Sequence, residues 1–469
     1  MSGPAAALPA LATPALRVSR RTLTTLVLAG LVLVSFGPSR IASQFVPFAC
    51  WPLAIVLARG RLAQPARETV LVALLAVMTV ISALVNATEL PNLLLGVVSW
   101  FGPFLVFSLA YAVGDHVSLR ALLRVLLVVS VVQIPIGVLQ MFAFIGFRLA
   151  NPFQVYGLAA GDWFSGTLLL SGKNSHVVSL KLALSMLLAW QVARHVTRLG
   201  RAARLGVLAL LVFGWLTPSA VHSMLCFLAA IATASLLLAS SARTVAGLLG
   251  LSLLAVAIVA ATQWENVLYA RNLIVLTAGS TGVLPGKAAA LANTLTELPA
   301  VAPQLPWTGV GLGRYSSYAA MILSGEHLAS ANPLIPVSYS DYTFRFILPF
   351  WNRELLLANE WASGVVNQPF FTYMSIYGEL GLPGLACFAG FWLVVTLRLR
   401  RIVQRARGTL EGGLATALLL FTLLLVYLFL FDNWFEDARL MIPYMLLTGV
   451  LLRQAHAPPA AHGPATSGG

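Results

Sequence analysis

The feature that most constrains this chain is a series of apolar stretches, each long enough to cross a lipid bilayer as a helix of about 20 residues. Charged residues make up only 9% of the 469 positions, against about 25% in soluble domains. A soluble globular protein of this size is therefore excluded, and we predict an all-α polytopic membrane protein with about 12 transmembrane helices. Their predicted centres lie near Leu28, Leu53, Leu75, Val98, Val131, Ala183, Leu211, Ala229, Leu254, Ala386, Phe421 and Leu446.

The basic residues are concentrated in alternate loops between these stretches. Nineteen of the 29 lysines and arginines fall in one set of loops, which contains only three acids, Glu68, Asp115 and Glu411. Because loops rich in lysine and arginine stay in the cytoplasm, we expect both termini there. The same distribution accounts for the net charge of +14, so nucleic acid is not expected as a partner.

The longest segment outside the predicted spans is residues 263–367, between the ninth and tenth helices. It contains several tryptophans and tyrosines and two helix-like runs, at residues 284–298 and 350–361. Loops of this length usually carry function. We therefore predict a large, partly helical external loop that forms a subdomain on the membrane face.

This loop divides the predicted chain into two membrane regions, with helices 1–9 in residues 17–262 and helices 10–12 in residues 368–453. Residues 1–16 and residues 454–469 are rich in alanine, proline and glycine. Neither tail has enough large apolar side chains to form a core, so both are expected to be disordered.

Several basic residues fall on the external side, where topology does not require them. The planar guanidinium of arginine matches phosphate oxygens, and lysine supplies a compact positive charge. We predict that at least two of these bases converge on one anionic group, with ordinary ion pairs to nearby acids as the alternative for each. The external bases are Lys173, Arg271, Lys287, Arg314, Arg345, Arg353 and Arg439.

The sixth predicted span opens with Ser-Gly-Lys-Asn-Ser-His at residues 171–176. Lys173 and Asn174 at a helix start can point donors at a ligand, assisted by the helix N-terminus. The alternative is plain capping by Asn174 or Ser175. Lys181, within the same span, is a functional candidate by default because a charge inside a membrane is costly.

Three further features of the external side suggest chemistry. Residues 309–313, Gly-Val-Gly-Leu-Gly, lack a nucleotide-binding pattern and predict a close-packed turn that delivers Arg314 and Tyr315. His327 is a candidate general base near neutral pH, with a structural role as the alternative. Glu379 is a carboxylate at the external end of the tenth span, where it needs a partner and where Gly381 allows a kink.

Three segments, in this order, resemble the O-antigen ligase and O-antigen polymerase family of membrane glycan enzymes. The first is Gly166-Thr167, followed by Gly172 and Asn174 at a span start. The second is Gly-Lys at residues 286–287, followed by Trp-Thr-Gly-Val-Gly-Leu-Gly at residues 307–313. The third is residues 369–384, which end in Glu-Leu-Gly-Leu-Pro-Gly.

The chain departs from the family pattern at three places. The family often has arginine where Lys287 stands, and a His-Asn pair where Phe370 and Phe371 stand. The basic residue usually found near Gly166-Thr167 is missing. If the family's histidine is its base, this chain must use another group, such as His327, or perform related but different chemistry.

The resemblance implies a metal-independent and cofactor-independent transfer of a glycan from undecaprenyl diphosphate to a hydroxyl of an acceptor glycan or lipid. It implies a place in the bacterial cytoplasmic (inner) membrane, among membrane lipids, in O-antigen or exopolysaccharide synthesis. On this reading His327 and Glu379 are catalytic. The predicted ligands of the diphosphate or glycan are Lys173, Asn174, Lys287, Arg314, Tyr315, Arg345 and Arg353.

Two other functional classes stay open at this point. A transporter or flippase of polysaccharide or lipid-linked oligosaccharide also suits twelve spans. Such proteins are often built from two repeated halves, whereas this chain shows no visible repeat and has only a short link at residues 194–204 between the sixth and seventh spans. A non-catalytic scaffold of an envelope assembly complex is the third possibility.

Overall fold

The structure is a computed structural model that describes residues 19–58, 67–150, 163–169, 173–218, 221–238, 286–324, 338, 340–350 and 368–456. Within these residues the regular secondary structure is helical, without strands. The predicted ninth span, His327, Arg353 and nearly all of both predicted tails lie outside the described residues.

Eight α-helices are described before the predicted external loop. They are α1 (Arg20–Ser35), α2 (Arg40–Ala58), α3 (Arg67–Val85), α4 (Leu90–Val113), α5 (Leu119–Ala150), α6 (Lys173–Val196), α7 (Arg201–Leu216) and α8 (Val221–Leu238). Short 3-10 helices lie at Gly114–His116 and Gly166–Leu168.

Eight more α-helices are described in the rest of the chain. They are α9 (Gly286–Thr296), α10 (Leu298–Val301), α11 (Leu305–Thr308), α12 (Tyr318–Leu323), α13 (Asp341–Phe346), α14 (Thr372–Arg405), α15 (Leu410–Leu428) and α16 (Ala438–Gln454). A third 3-10 helix covers Leu348–Phe350.

Six of the described helices are long and apolar enough to cross a membrane, which supports the predicted class of membrane protein. They are α3, α4 with the 3-10 turn that follows it, the first 25 residues of α5, α6, α14 and α15. Eleven of the twelve predicted centres lie in eleven different helices, and Leu254 lies outside the described residues. The total of twelve spans stays a prediction.

The loops predicted to be cytoplasmic meet at one end of the helix assembly. There Arg453 forms a 2.5 Å ion pair with Asp115, and Arg398 forms one of 2.8 Å with Glu68. At the other end, the Thr167 hydroxyl donates to the Phe36 carbonyl at 2.6 Å, and Gln44 donates to the Glu436 carbonyl at 2.7 Å. The alternation of loops is therefore consistent with the described contacts, and the orientation in the membrane stays a prediction from charge.

The described part of the predicted external loop packs around an apolar cluster of its own. Leu305, Val310, Tyr315 and Phe346 are buried there, together with Phe370 just before α14. The helix-like run predicted at residues 284–298 corresponds to α9 and α10. This cluster joins the segment to the start of α14, which fixes its position relative to the helix ends.

Helix α14 is broken near its N-terminal end. Gly381 has φ 69° and ψ −169°, so Thr372–Arg405 is two helical pieces that meet at this residue. A positive φ favours glycine, which lacks a Cβ, and Pro383 follows in the second piece. The kink predicted at this glycine is confirmed.

Candidate functional site

The glycine turn, residues 309–313, fills the break in α14. The backbone amide of Val310 donates to the Gly378 carbonyl at 2.8 Å, and that of Gly311 donates to the Glu379 carbonyl at 3.3 Å. The break at Gly381 leaves both carbonyls without helical partners, and an unsatisfied backbone group within a membrane costs several kcal/mol. The turn and the broken helix therefore stabilise each other.

The Glu379 carboxylate is fully buried and binds the far end of the turn. Its oxygens accept hydrogen bonds from the backbone amides of Gly313 at 2.9 Å, Tyr315 at 3.3 Å and Ser317 at 3.2 Å. The indole of Trp100 donates a fourth at 3.3 Å. This arrangement makes Glu379 a positioning residue for the turn, while its catalytic role stays a prediction.

Two asparagines near the start of α4 hold the outer side of the glycine turn. Asn86 donates to the Gly309 carbonyl at 3.2 Å, and Asn92 donates to that of Gly313 at 2.7 Å. Arg314 in turn donates to the Asn86 carbonyl at 2.7 Å. The prediction of a close-packed turn is confirmed, and Arg314 forms part of its attachment to the rest of the protein.

Three other predicted ligand-binding residues are buried, exposed or engaged in a local contact. Tyr315 is fully buried, with its hydroxyl 2.5 Å from that of Thr294, and burial raises the pKa of the tyrosine. Arg345 is exposed on α13. Asn174 donates to the Leu169 carbonyl at 2.8 Å, which is a local contact before α6. Their binding of a ligand stays a prediction that these contacts do not support.

Two of the predicted external bases, Lys173 and Lys287, lie within electrostatic range of Asp432, but only Lys173 contacts it. The ammonium of Lys173 lies 2.7 Å from a carboxylate oxygen of Asp432. That of Lys287 donates to the carbonyls of Phe370 and Phe431, both at 2.8 Å. Burial opposes ionisation of Asp432, but Lys173 and Lys287 outweigh it and hold the pKa of the carboxyl below its usual value.

A second ion pair follows in the same loop. Arg439 pairs with Asp437 at 3.0 Å, and both side chains are almost completely buried. Burial raises the pKa of Asp437, but Arg439 and Arg40 outweigh that effect and lower it overall. Arg439 is therefore neutralised by its own carboxylate, unlike Lys287, which has no carboxylate within ion-pair distance among the described residues.

Glu436 lies between these two pairs and behaves differently. Burial, reinforced by the Glu379 carboxyl, raises the pKa of Glu436 well above its usual value. One of its oxygens accepts from the Tyr318 amide at 2.7 Å, and the other has no partner among the described residues. The guanidinium of Arg40 lies 3.9 Å from the centre of the Tyr318 ring, and Lys173 lies 4.2 Å from it.

Together these groups form what we call the charged cluster, whose members come from α2, α6, α9 and the segment before and into α16. Two of its carboxyls have lowered pKa values and Glu436 has a raised one. Three bases besides Lys287 accompany them, so the cluster carries an excess of positive charge even when Lys287 is neutral. Its members are Arg40, Lys173, Lys287, Asp432, Glu436, Asp437 and Arg439.

Sequence reasoning missed four members of this cluster: Arg40, Asp432, Glu436 and Asp437. Three of them are acids within six residues of a short loop between two apolar runs, and that density of carboxyls is a signal that could have found them. Arg40 carries no such signal, because a base at the start of an apolar helix is ordinary.

Lys181 is buried near the cluster and has a local partner, whereas the Nε2 of the half-buried His222 has no hydrogen-bond partner among the described residues. Lys181 donates to the carbonyl of Ser35, the last residue of α1, and its ammonium lies 4.1 Å from the centre of the Phe36 ring. The ring of His222 lies 5.6 Å from that of His176. In the described part of the chain, no group of three His, Cys, Asp or Glu side chains is placed to bind a metal ion.

In comparisons with known proteins, no family model matches this chain, and no curated protein matches it.

Proposed function

We propose that this protein is a membrane glycosyltransferase that transfers or polymerises a glycan from a polyprenyl diphosphate carrier onto an acceptor hydroxyl at the external membrane face. Its place would be the synthesis of surface polysaccharide, such as O-antigen or exopolysaccharide. The observation that carries the proposal is the excess of positive charge in the charged cluster, at the end of the helix assembly predicted to be external.

The chemistry of the reaction fits such a cluster. The leaving group is a diphosphate, on which negative charge develops as the glycosidic bond breaks, so fixed cations stabilise the transition state. Arg40 supplies a guanidinium for phosphate oxygens, and one of its nitrogens is buried without a partner among the described residues. Lys173 is 26% exposed and held against Asp432, so it can contact a donor entering from the surface.

Aromatic side chains beside the cations suit the sugar part of a donor. Tyr318 lies against both Arg40 and Lys173, and the Trp434 ring lies 4.9 Å from the Lys173 ammonium. Aromatic faces combine a large apolar surface with a polar edge. A sugar stacked here would place its anomeric carbon next to the cations.

The family resemblance gains support from the contacts between its segments. The turn at residues 309–313 is hydrogen-bonded to the segment at residues 378–379, and Lys287 to the Phe370 carbonyl. Short motifs that match by chance have no reason to touch. Their contact favours the predicted relation to membrane glycan ligases and polymerases.

The test is transfer by the purified protein in lipid nanodiscs, with a labelled undecaprenyl-diphosphate glycan and an unlabelled acceptor. We expect elongated or acceptor-linked product with equimolar release of undecaprenyl diphosphate. Arg40→Ala and Lys173→Ala should each lower the rate about 100-fold, as removal of one charge-stabilising group does in other enzymes. Arg401→Ala, an exposed base at the other end, serves as the matched control. Wild-type protein that releases no diphosphate from any such donor would contradict the proposal.

A second candidate is a transporter of lipid-linked oligosaccharide, which one observation favours. The break in α14 and the buried carboxyls of Glu436 and Asp437 are features that secondary transporters share, because broken helices and ionisable groups line their binding sites. In proteoliposomes, movement of labelled donor across the bilayer without bond cleavage would favour this candidate over the enzyme.

A further inference from the structure

The amine of Lys287 has a geometry unlike that of the other cluster bases. It lies in the first turn of α9, and its nitrogen donates to the carbonyls of Phe370 and Phe431, each at 2.8 Å. No carboxylate among the described residues lies within ion-pair distance of it. A lysine nitrogen has three positions besides its own carbon, so two are fixed by the carbonyls and one is left.

We propose that Lys287 is the general base of the transfer, with its lone pair in that remaining position. This inference rests on the proposed function and replaces the role of diphosphate ligand predicted for Lys287. In the step, the lone pair takes the proton of the acceptor hydroxyl while the hydroxyl oxygen bonds to the anomeric carbon. The bond from that carbon to the diphosphate breaks, and its electron pair leaves with the diphosphate.

The surroundings keep this amine close to the balance between its two protonation states. Burial lowers the pKa of Lys287 to about 7, Asp432 raises it and Lys173 lowers it. The positive end of the helix dipole acts in the same direction as burial. Among the described residues, His222 from α8 is also within electrostatic range of Lys287. A base with a pKa near the working pH is both available and strong enough.

The other titratable groups of the site suit the role less well. Asp432 has a lowered pKa and is bound by Lys173, so its carboxylate is a weak base. Glu379 is enclosed by four protein donors. Phe370 and Phe371, which precede α14, provide no titratable side chain.

Lys287 has contacts that leave a position for the acceptor. Among the described residues, Glu436 and His222 also each have one atom without a hydrogen-bond partner, but the raised pKa of Glu436 disfavours its carboxylate form, and His222 is tested separately below.

The first experiment is the pH dependence of transfer by wild-type protein, Lys287→Arg and, as a matched lysine control, Lys173→Arg. For wild type, kcat/KM should rise about tenfold per pH unit up to pH 7 and then level off. The pH profile of kcat should show the same rise at higher pH, because the bound diphosphate favours the protonated form of Lys287. Lys287→Arg keeps the positive charge, but its guanidinium does not lose a proton. Its kcat should therefore fall about 100-fold, and the pH-dependent rise should disappear. Lys173→Arg should retain that rise.

The second experiment is chemical rescue of Lys287→Ala by small primary amines. Rescue should grow with the basicity of the free amine, and it also demonstrates that the variant is folded. If Lys287→Arg keeps the pH-dependent rise in activity and stays within tenfold of the wild-type rate, Lys287 is not the general base. The predicted role of Lys287 as a diphosphate ligand would then be restored. A pH-dependent rise lost only in His222→Gln would assign the base to His222 instead. If the wild-type protein performs no transfer at any pH, the proposed function is wrong, and the assignment of Lys287 as its general base is wrong as well.

Discussion

The Glu379 carboxylate accepts a 2.9 Å hydrogen bond from the backbone amide of Gly313, 66 residues earlier in the chain. A buried acid at a helix break thereby binds the same loop whose amides at Val310 and Gly311 satisfy carbonyls near the break. Three backbone amides and the Trp100 indole donate to this one carboxyl group, so the attachment of the loop depends on a single side chain. This relationship connects the membrane helix to the segment outside it and leads to the first two predictions.

Glu379→Gln should destabilise the protein. The glutamine amide has one acceptor oxygen and a donor nitrogen, so at least one of the backbone amides at residues 313–317 is left without an acceptor. A buried unsatisfied donor costs about 1–3 kcal/mol. The midpoint of thermal unfolding in detergent should fall, while the exposed control Glu297→Gln should leave it unchanged. Equal midpoints for both variants would contradict the role given to Glu379.

Gly313→Ala should be worse tolerated than Gly408→Ala. Both glycines have a similar positive φ, 73° and 79°, so the backbone strain of about 1–2 kcal/mol is shared. A Cβ at Gly313 would meet the backbone of Asn92, whereas one at Gly408 meets nothing within 4 Å. The difference in unfolding free energy should be about 2 kcal/mol, as for overpacking elsewhere. Similar losses would mean that the turn can move away from α4.

Lys173→Met should destabilise by about 2 kcal/mol, below the 3–5 kcal/mol for a fully enclosed pair, because a quarter of the Lys173 side chain is exposed. The double variant with Asp432→Asn should recover part of that loss, which a double-mutant cycle measures. Because the pKa of Asp432 is lowered in the folded state, its carboxylate stabilises the protein above about pH 4. This contribution to stability is lost as the pH falls toward the folded-state pKa. Additive single losses would show that the pair does not interact.

Glu436→Gln should change how stability depends on pH above about 4.3. The raised pKa of Glu436 means that the folded state keeps a proton that the unfolded state loses near pH 4.3. Wild-type stability should therefore fall relative to Glu436→Gln by about 1.4 kcal/mol per pH unit, from that value up to the folded-state pKa. Unfolding midpoints measured from pH 4 to pH 9 test this, and parallel curves would rule it out.

The helices could be predicted from the sequence because each apolar run is local and long. The kink at Gly381 was also predictable, because a glycine followed two residues later by proline restricts the backbone in a known way. The ion pair of Lys173 and Asp432 was not, since 259 residues separate its partners. Charge counting assigned Lys173 to the external side without indicating its partner.

Tyr315 shows a different reason why site prediction fails. Its position after the glycine turn suggested a ligand contact, yet the hydroxyl bonds Thr294 inside the apolar cluster. A tyrosine serves a core as readily as a binding site, and the sequence does not distinguish the two. For Lys287, in contrast, the residue was found from sequence, but its two carbonyl partners could only come from the folded chain.

The contact between Lys181 and the Ser35 carbonyl also bears on how the protein is assembled in the cell. A lysine in the middle of a helix opposes release from the translocon into lipid by about 3 kcal/mol. Its acceptor lies at the end of α1, which is synthesised 146 residues earlier. When helix α6 is inserted, α1 with its Ser35 carbonyl is therefore already in the bilayer. We expect insertion of α6 to depend on α1 being retained near the translocon.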